Sequence, residues 1–169
     1  VSSDPSPVSS GDVWFNSTVN KFRYGGLGTG TWAAGGNMNS ARGYLGSAGT
    51  QTAALAISGA PTPPFTYVAV VEQYDGSSWT SGGALGTARS EIAGTGTQTA
   101  GLAFGGENPG SGGIQTATEE YGGTSWTSGG AFPAARAALA GAGIQPAAIG
   151  FGGTPPINGA SYEYDGSSW

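Results

Sequence analysis

The sequence repeats itself with a step of 47 residues, and this repeat limits the folds that the chain can adopt. Four tryptophans mark the repeat, three at 47-residue intervals and the last after a further 43: Trp32, Trp79, Trp126 and Trp169. Arginine and glutamine keep the same step at three positions each: Arg42, Arg89, Arg136, Gln51, Gln98 and Gln145. Internal repetition indicates a fold that is built from several similar units stacked on one another.

A period in the forties fits a four-stranded β-sheet or a group of helices. Helical repeats of this length need long apolar patterns with a spacing of about 3.6 residues. The 34 glycines and the β-branched residues of the chain disfavour such helices. The sequence therefore predicts an all-β fold in which each repeat is one four-stranded blade of a β-propeller, or of part of one.

Four short strands are predicted within each repeat. The first follows the arginine, the second follows a Gly-Thr-Gln or Gly-Ile-Gln turn, the third precedes a glycine-rich turn, and the fourth begins at the tryptophan. The predicted bounds of the first three are 43–47, 90–94 and 137–141, then 53–57, 100–104 and 147–151, then 68–74, 116–121 and 160–164.

The second strand of each repeat alternates between large and small residues. One face carries large apolar side chains: Leu55, Ile57, Leu102, Phe104, Ile149 and Phe151. The other face carries only alanine and glycine. A strand with this pattern lies between close neighbours, as in blades that stack around a crowded axis.

The chain before the repeats differs in composition. Residues 1–12 are rich in serine and proline, which predicts an extended arm or linker. Residues 13–24 hold two short apolar stretches on either side of a polar turn, which predicts a β-hairpin. Residues 25–169 hold the repeats, which supply about three blades and are expected to be incomplete at the C-terminal end.

The charge and the missing residue types argue against several functions. The net charge is −5 and the five basic residues are scattered, whereas nucleic-acid binding needs clustered lysine and arginine. The chain has no cysteine and no histidine, so we expect no cofactor, no transition metal and no serine–histidine catalysis. No apolar run reaches the length of about 18 residues that a membrane helix needs, so we expect no membrane insertion.

The middle repeat carries a motif that resembles the kelch repeat. The kelch pattern has a glycine pair, a tyrosine, a tryptophan and then an arginine. Gly105-Gly106, Tyr121, Trp126 and the stretch Phe132–Arg136 follow that order. The resemblance covers about residues 23–169 and implies a kelch-like β-propeller.

Two other features resemble proteins of bacterial viruses. The segments GTQTAxLAFGG and YDGSSWTSGG are similar to kelch-like repeats in virion and tail-fibre proteins of bacteriophages, notably marine ones. Residues 4–24 are similar to a short hairpin module of phage fibre proteins. The resemblance implies a non-enzymatic virion surface or tail-fibre protein that is made in the host cytoplasm and forms homo-oligomers. It also implies contact with other virion proteins through the N-terminal arm, and a host-surface glycan or protein as receptor.

The tryptophans and arginines recur at fixed places, which favours a structural role. A ligand site usually breaks the symmetry of a repeat, so we interpret the tryptophans as packing between blades rather than as a sugar-stacking platform. We interpret the arginines as holding loop carbonyls or a nearby glutamate rather than as an anion site. The predicted partners are Glu72, Glu120 and Glu163.

No acidic residues fit a catalytic site. Asp75 and Asp165 resemble the sialidase Asp-box, but the tryptophan follows four residues later instead of five, and Gly122 replaces the aspartate in the middle copy. Glu119 and Glu120 are neighbours on a predicted strand, so they point to opposite faces and do not converge on one substrate. We therefore predict no catalytic residue and no enzyme activity.

The loops between the second and third strands vary from repeat to repeat. They span 60–68, 107–116 and 154–161. Binding residues usually lie on loops that a rigid scaffold positions. These loops hold our candidate ligand contacts: Pro63, Phe65, Tyr67, Asn108, Pro155 and Asn158. Two alternatives stay open, a kelch-type interaction module of a cellular or secreted protein and, less favoured, a carbohydrate-active enzyme.

Overall fold

The computed structural model describes residues 13–24, 33–61, 66–157 and 159–169. The chain divides into two units, Val1–Ala34 and Gly35–Trp169. In the first unit, β1 (Val13–Asn16) and β2 (Lys21–Tyr24) form an antiparallel hairpin. The Asn16 side-chain oxygen accepts hydrogen bonds from the amides of Thr18 and Val19, at 3.0 and 3.2 Å, and so stabilises the turn.

The second unit is made of short strands, and the described residues contain no α-helix. Its strands are β3 (Gly46–Thr50), β4 (Ala53–Ile57), β5 (Val71–Tyr74), β6 (Trp79–Ser81), β7 (Ala93–Gly96), β8 (Gly101–Phe104), β9 (Glu107–Asn108), β10 (Gly113–Ile114), β11 (Thr118–Tyr121), β12 (Trp126–Ser128), β13 (Ala137–Ile144), β14 (Ala147–Thr154) and β15 (Ser161–Tyr164). Nowhere in the described part of the chain is there a helix with the length and apolar character that crossing a membrane requires.

Three antiparallel sheets follow one another along this unit. The first has the order β3-β4-β5-β6, the second β7-β8-β11-β12 and the third β13-β14-β15. The predicted all-β fold with four-stranded antiparallel sheets is confirmed in the first two. In the third sheet, Trp169 stands where the fourth strand begins in the other two. β9 and β10 form a small separate ladder after the second strand of the second sheet.

The second strands of the first two sheets lie where they are predicted, but β14 continues through the glycine pair to Thr154 instead of ending at residue 151. The first strands of two sheets begin later than predicted. We predicted 43–47 and 90–94, whereas β3 and β7 begin at Gly46 and Ala93. Isolated bridges at Gly43 and Ser90 precede them. Each bridge is followed by a non-glycine residue with positive φ, which separates it from the regular ladder. These residues are Tyr44 (φ 57°) and Glu91 (φ 51°).

The first and second sheets pack face to face. The contact buries a cluster of apolar residues from both sheets and from the segment that connects them: Leu55, Ile57, Val71, Leu85, Ile92, Ala103 and Tyr121. Burying one aliphatic side chain of this size contributes about 1.5–3 kcal/mol. This contact therefore accounts for a large part of the stability of the two sheets.

The second and third sheets repeat the same kind of contact. Leu102 and Phe104 of the second sheet meet Ala148 of the third, with Phe132 of the connecting segment packed beside them. The opposing face carries small residues, as the alternation predicted. A Cβ atom at Gly150 would lie 2.6 Å from Phe104 Cε2. In the first contact, Gly101 holds the position that Ala148 holds in the second, and a Cβ atom there would lie 2.8 Å from Leu55 Cδ1.

The third sheet also has a large-residue face, and this face is less covered. Ile149 and Phe151 hold the positions that Leu102 and Phe104 hold one repeat earlier. Leu102 and Phe104 are both 0% exposed, whereas Phe151 is 40% exposed. Among the described residues, no further sheet packs against this face.

Candidate functional site

Three of the four repeated tryptophans lie against a tyrosine of the neighbouring strand. The ring centroids are 4.9 Å apart for Tyr74 and Trp79, and 4.8 Å apart for Tyr121 and Trp126. Trp169 lies 5.0 Å from Tyr164 in the third sheet. The three indoles are half-buried, and each has a tyrosine ring against it. The fourth tryptophan, Trp32, lies outside the described residues.

The indole N–H groups find different partners in the three sheets. Trp79 donates to the Gly36 carbonyl and Trp169 donates to the Thr118 hydroxyl, both at 3.0 Å. The indole N–H of Trp126 is buried without a partner among the described residues. The residue of the first sheet that corresponds to Thr118 is Val71, and its side chain has no oxygen that could accept a hydrogen bond from the Trp126 indole.

Two of the repeated arginines pair with a buried glutamate. Arg42 forms an ion pair with Glu72 and also donates to the Ser58 carbonyl at 2.8 Å. Glu72 accepts further hydrogen bonds from two backbone amides. Although burial itself raises a carboxyl pKa, these hydrogen bonds and Arg42 hold the Glu72 pKa below its ordinary value.

The partner of Arg89 is Glu119, so the prediction of Glu120 was wrong. Arg89 is fully buried, and its Nη2 lies 3.1 Å from Glu119 Oε1. Burial lowers the Arg89 pKa, and the charge of Glu119 opposes that shift. Glu119 Oε2 also accepts from the Gly86 amide at 2.6 Å. The correction follows from strand alternation, because Glu120 points to the other face and accepts a hydrogen bond from the Tyr164 hydroxyl.

Arg136 has no carboxylate partner among the described residues. Tyr162 takes the position that Glu72 and Glu119 have in the other sheets, and the predicted partner Glu163 is exposed on the opposite face. Arg136 is nevertheless 3% exposed, and its Nη1 donates to the Gly152 carbonyl at 3.3 Å and to the Pro156 carbonyl at 2.8 Å. It therefore holds the start of the loop after β14 through backbone acceptors.

The repeated glutamines reach from one sheet to the sheet before it. Gln98 Nε2 donates to the carbonyls of Ala54 and Tyr74, at 3.3 and 2.5 Å. Gln145 Nε2 donates to the carbonyls of Gly101 and Tyr121, at 3.0 and 3.2 Å. The 47-residue step made these glutamines visible in the sequence, but it did not show what they bind.

The aspartates of the YDGSSW segments stabilise turns. Asp75 Oδ1 accepts from the amides of Ser77 and Ser78, at 2.8 and 2.7 Å, and Asp165 makes the same two bonds. The backbone bonds, led by that from Ser168, lower the pKa of Asp165 to about 2, and the same effect depresses the pKa of Asp75. Both carboxylates are exposed, and their oxygens accept hydrogen bonds from residues of the same turn.

The candidate loop residues are not equally accessible. Pro63, Phe65 and Asn158 lie outside the described residues. Asn108 is buried, and its amide donates to the Ala88 carbonyl at 2.6 Å and accepts from the Gly110 amide at 2.9 Å. That amide caps the short 3₁₀ turn Pro109–Ser111. Both the nitrogen and the oxygen of the Asn108 side chain are therefore hydrogen-bonded within the fold.

Tyr67 and Pro155 lie at the surface of their loops. Tyr67 is half-buried, and its pKa is raised by burial and then by the nearby carboxylates of Glu107 and Glu91. Pro155 is exposed, and two residues later Ile157 is 89% exposed. Ile157 is the most exposed large apolar side chain among the described residues, and we did not single it out from the sequence. In the sequence, its exposure is indicated only by its position after two prolines in a non-repeating loop.

The described residues contain no cluster of acidic side chains that could hold a metal ion. No protein-family model matches the chain, and no curated protein matches it either.

Proposed function

We propose that the repeats of this chain form a kelch-like β-propeller, or part of one. In a propeller, successive four-stranded sheets pack face to face around an axis with their first strands innermost. Two features support this arrangement. Large residues of one sheet meet glycine and alanine of the next at both contacts. The first strands of neighbouring sheets lie side by side, since a Cβ atom at Gly94 would lie 2.7 Å from the Ser47 carbonyl oxygen.

The function that we propose is a non-enzymatic one on the surface or tail fibre of a bacteriophage particle. The module would bind a host-surface glycan or protein through its non-repeating loops, and residues 1–12 would join it to other virion proteins. The observation that carries this proposal is the contrast between repeat and loop. The repeated Trp79, Arg89 and Gln98 are engaged in contacts within the stack, whereas Pro155 and Ile157 project from the third loop.

A cell-binding assay tests the receptor role. The fluorescently labelled chain should bind to the surface of host bacteria, and Ile157→Ser should weaken the binding. Ile144→Ser is the matched control, because Ile144 is 53% exposed but is the last residue of β13 and lies outside the variable loops. Equal binding by wild type and Ile157→Ser would contradict a role for this loop.

Locating the chain tests the virion role separately. Antibodies against the chain should label purified phage particles in electron micrographs. Labelling of cellular material alone would favour the second candidate, an interaction module of a cellular protein. The exposed loop around Ile157 would also suit binding by such a module.

A further inference from the structure

The first strands of the three sheets begin around an open hollow of about 420 Å³, which we call the inner hollow. Each repeat contributes two consecutive residues, of which the second is apolar. The three pairs are Tyr44 and Leu45, Glu91 and Ile92, and Ala138 and Leu139. All three sheets form the inner hollow, and neither Pro155 nor Ile157 lines it. It is therefore distinct from the loop site proposed above.

The backbone at the first residue of each pair has the same conformation in all three repeats. Its φ is 57° at Tyr44, 51° at Glu91 and 53° at Ala138. The Glu91 amide donates to the Tyr44 carbonyl at 2.8 Å, and the Ala138 amide donates to the Glu91 carbonyl at 2.9 Å. These main-chain bonds join each sheet to the next, and they do not depend on which side chain is present.

A side chain at these positions strains the fold. A positive φ disfavours every residue that has a Cβ atom, whereas glycine adopts it freely. Among the described residues, 13 glycines have a positive φ, against five residues of all other types. Backbone strain of this kind is concentrated at functional sites. The strain favours a role for the Tyr44 and Glu91 side chains that folding does not require.

The second residue of each pair, by contrast, has a structural role. Each apolar side chain packs on one glycine of its own repeat, and the pairs are Leu45 with Gly59, Ile92 with Gly106, and Leu139 with Gly153. These contacts follow the repeat. The first residue breaks it, because tyrosine, glutamate and alanine occupy the same position in turn. Such a break in symmetry is what we expect of a ligand site.

The inner hollow combines a carboxylate with an aromatic ring. Glu91 is half-buried, and its carboxylate forms no ion pair within the described part of the chain. Tyr44 is 58% exposed. A negative charge and the face of an aromatic ring both attract a cation.

The surroundings of the inner hollow are acidic as well. Burial raises the pKa of Tyr67, and the negative charges of Glu107 and Glu91 raise it further. The three arginines of this unit are engaged elsewhere. Arg42 and Arg89 pair with buried glutamates, and Arg136 is bound to backbone carbonyls. None of the three lines the inner hollow.

We propose that the inner hollow binds an alkylammonium group, of the kind that a lysine side chain of a partner protein presents. Glu91 pairs with the ammonium head, and the Tyr44 ring lies against the same cation. The apolar stem lies along Leu45 and Leu139. A quaternary ammonium ion fits less well, because it donates no hydrogen bond to the carboxylate and prefers a cage of several rings. The proposal is independent of the virion role.

A titration with a small lysine analogue tests the binding. Nα-acetyl-lysine methylamide is added to the isotope-labelled 169-residue chain, and amide chemical shifts are followed by nuclear magnetic resonance. We expect saturable shifts at Glu91 and Ile92, with a dissociation constant on the order of 1 mM for so small a ligand. Acetyl-norleucine methylamide, which has the stem without the charge, and choline should each bind about fivefold more weakly or less. The absence of saturable shifts, equal binding of the norleucine analogue, or tighter binding of choline would overturn the proposal.

Glu91→Gln separates a specific ion pair from the general negative charge of the chain. It keeps the size of the side chain but removes the charge, so the lysine analogue should bind about fivefold more weakly or less. Glu163→Gln is the matched control, because it removes one exposed carboxylate that does not line the inner hollow. Equal weakening in the two variants would mean that the probe responds only to net charge, and the proposal would then be wrong.

Glycine variants test whether the side chains are present for binding rather than for folding. Tyr44→Gly and Glu91→Gly should each weaken binding of the lysine analogue and yet raise the melting temperature slightly, because glycine adopts a positive φ without strain. Ala138→Gly calibrates this gain in stability, since it relieves the same φ and removes only a methyl group. If Ala138→Gly stabilises the chain while Tyr44→Gly and Glu91→Gly destabilise it, the two side chains support the fold and the proposal is overturned.

Discussion

Gly150→Ala is expected to destabilise the fold, because the added methyl group enters the contact between the second and third sheets. The new Cβ atom would lie 2.6 Å from Phe104 Cε2 and 2.8 Å from Phe132 Cε2. Phe104 and Phe132 are 0% and 1% exposed, so neither ring can move aside without disturbing its neighbours. Overpacking of a well-filled core costs about 1–3 kcal/mol.

Thermal unfolding followed by circular dichroism measures this loss. In a domain of this size, 1 kcal/mol lowers the melting temperature by about 2–4 °C, so the expected decrease is about 2–12 °C. Gly159→Ala is the matched control, because a Cβ atom there meets nothing within 4 Å. Its effect should stay within about 0.5 kcal/mol.

A double variant identifies the contact that is responsible. Phe104→Leu removes ring atoms that the Gly150→Ala methyl group would meet, so the combined loss of stability should be smaller than the sum of the separate losses. An unchanged melting temperature for Gly150→Ala, or strictly additive losses in the double variant, would refute face-to-face packing at this place.

Three further predictions follow from the buried ion pair, the turn aspartates and the tyrosine bond. Glu119→Ala leaves the buried guanidinium of Arg89 without its carboxylate, and denaturant unfolding should show a loss of about 3–5 kcal/mol. The Asp165 pKa is about 2 in the folded chain against an ordinary value of 3.8, so the stability that this carboxylate contributes is present above about pH 4 and is lost as the pH falls through 2. Melting temperatures of wild type and Asp165→Asn should therefore differ at neutral pH and converge in acid. Burial and the hydrogen bond to Glu120 raise the pKa of Tyr164 to about 12, so absorbance titration should show this tyrosine ionising near pH 12, and Glu120→Gln should lower that pKa.

Each of these predictions has a result that would contradict it. Glu163→Gln is the control for Glu119→Ala, since Glu163 is exposed, and equal losses in the two would mean that the Arg89 pair is not important for stability. A constant difference between wild type and Asp165→Asn down to pH 2 would show that the turn does not depress the pKa. An unchanged Tyr164 pKa in Glu120→Gln would show that no hydrogen bond joins Tyr164 to Glu120 between the second and third sheets.

The sequence predicted the second strands well, because their large and small residues alternate and turn residues flank them. The predicted range 53–57 coincides with β4, and Gly101–Phe104 lies within the predicted 100–104. The first strands were predicted too early, since a positive φ at Tyr44 or Glu91 leaves no mark in the residue type. The positive φ of these residues goes with hydrogen bonds to the neighbouring sheet, such as that from the Glu91 amide to the Tyr44 carbonyl, and not with the conformational preference of tyrosine or glutamate.

The candidate site was less predictable than the strands. Glu119 and Glu120 are adjacent acids, and only the strand register shows which of them faces Arg89. From the sequence, Asn108 is predicted to be a free loop residue, but its side-chain amide is hydrogen-bonded to the backbone at Ala88 and Gly110. Contacts between sheets join residues a full repeat apart, so a single sequence gives their period and not their partners.

The contact between Leu55 and Gly101 tests most directly whether successive repeats stack face to face. A nuclear Overhauser spectrum of the methyl-labelled chain can measure it without altering any residue. We expect strong cross-peaks from the Leu55 methyl groups to the Gly101 α protons, and from the Phe104 ring to the Gly150 α protons. The absence of both sets of cross-peaks in a folded sample would contradict the stacking of the sheets.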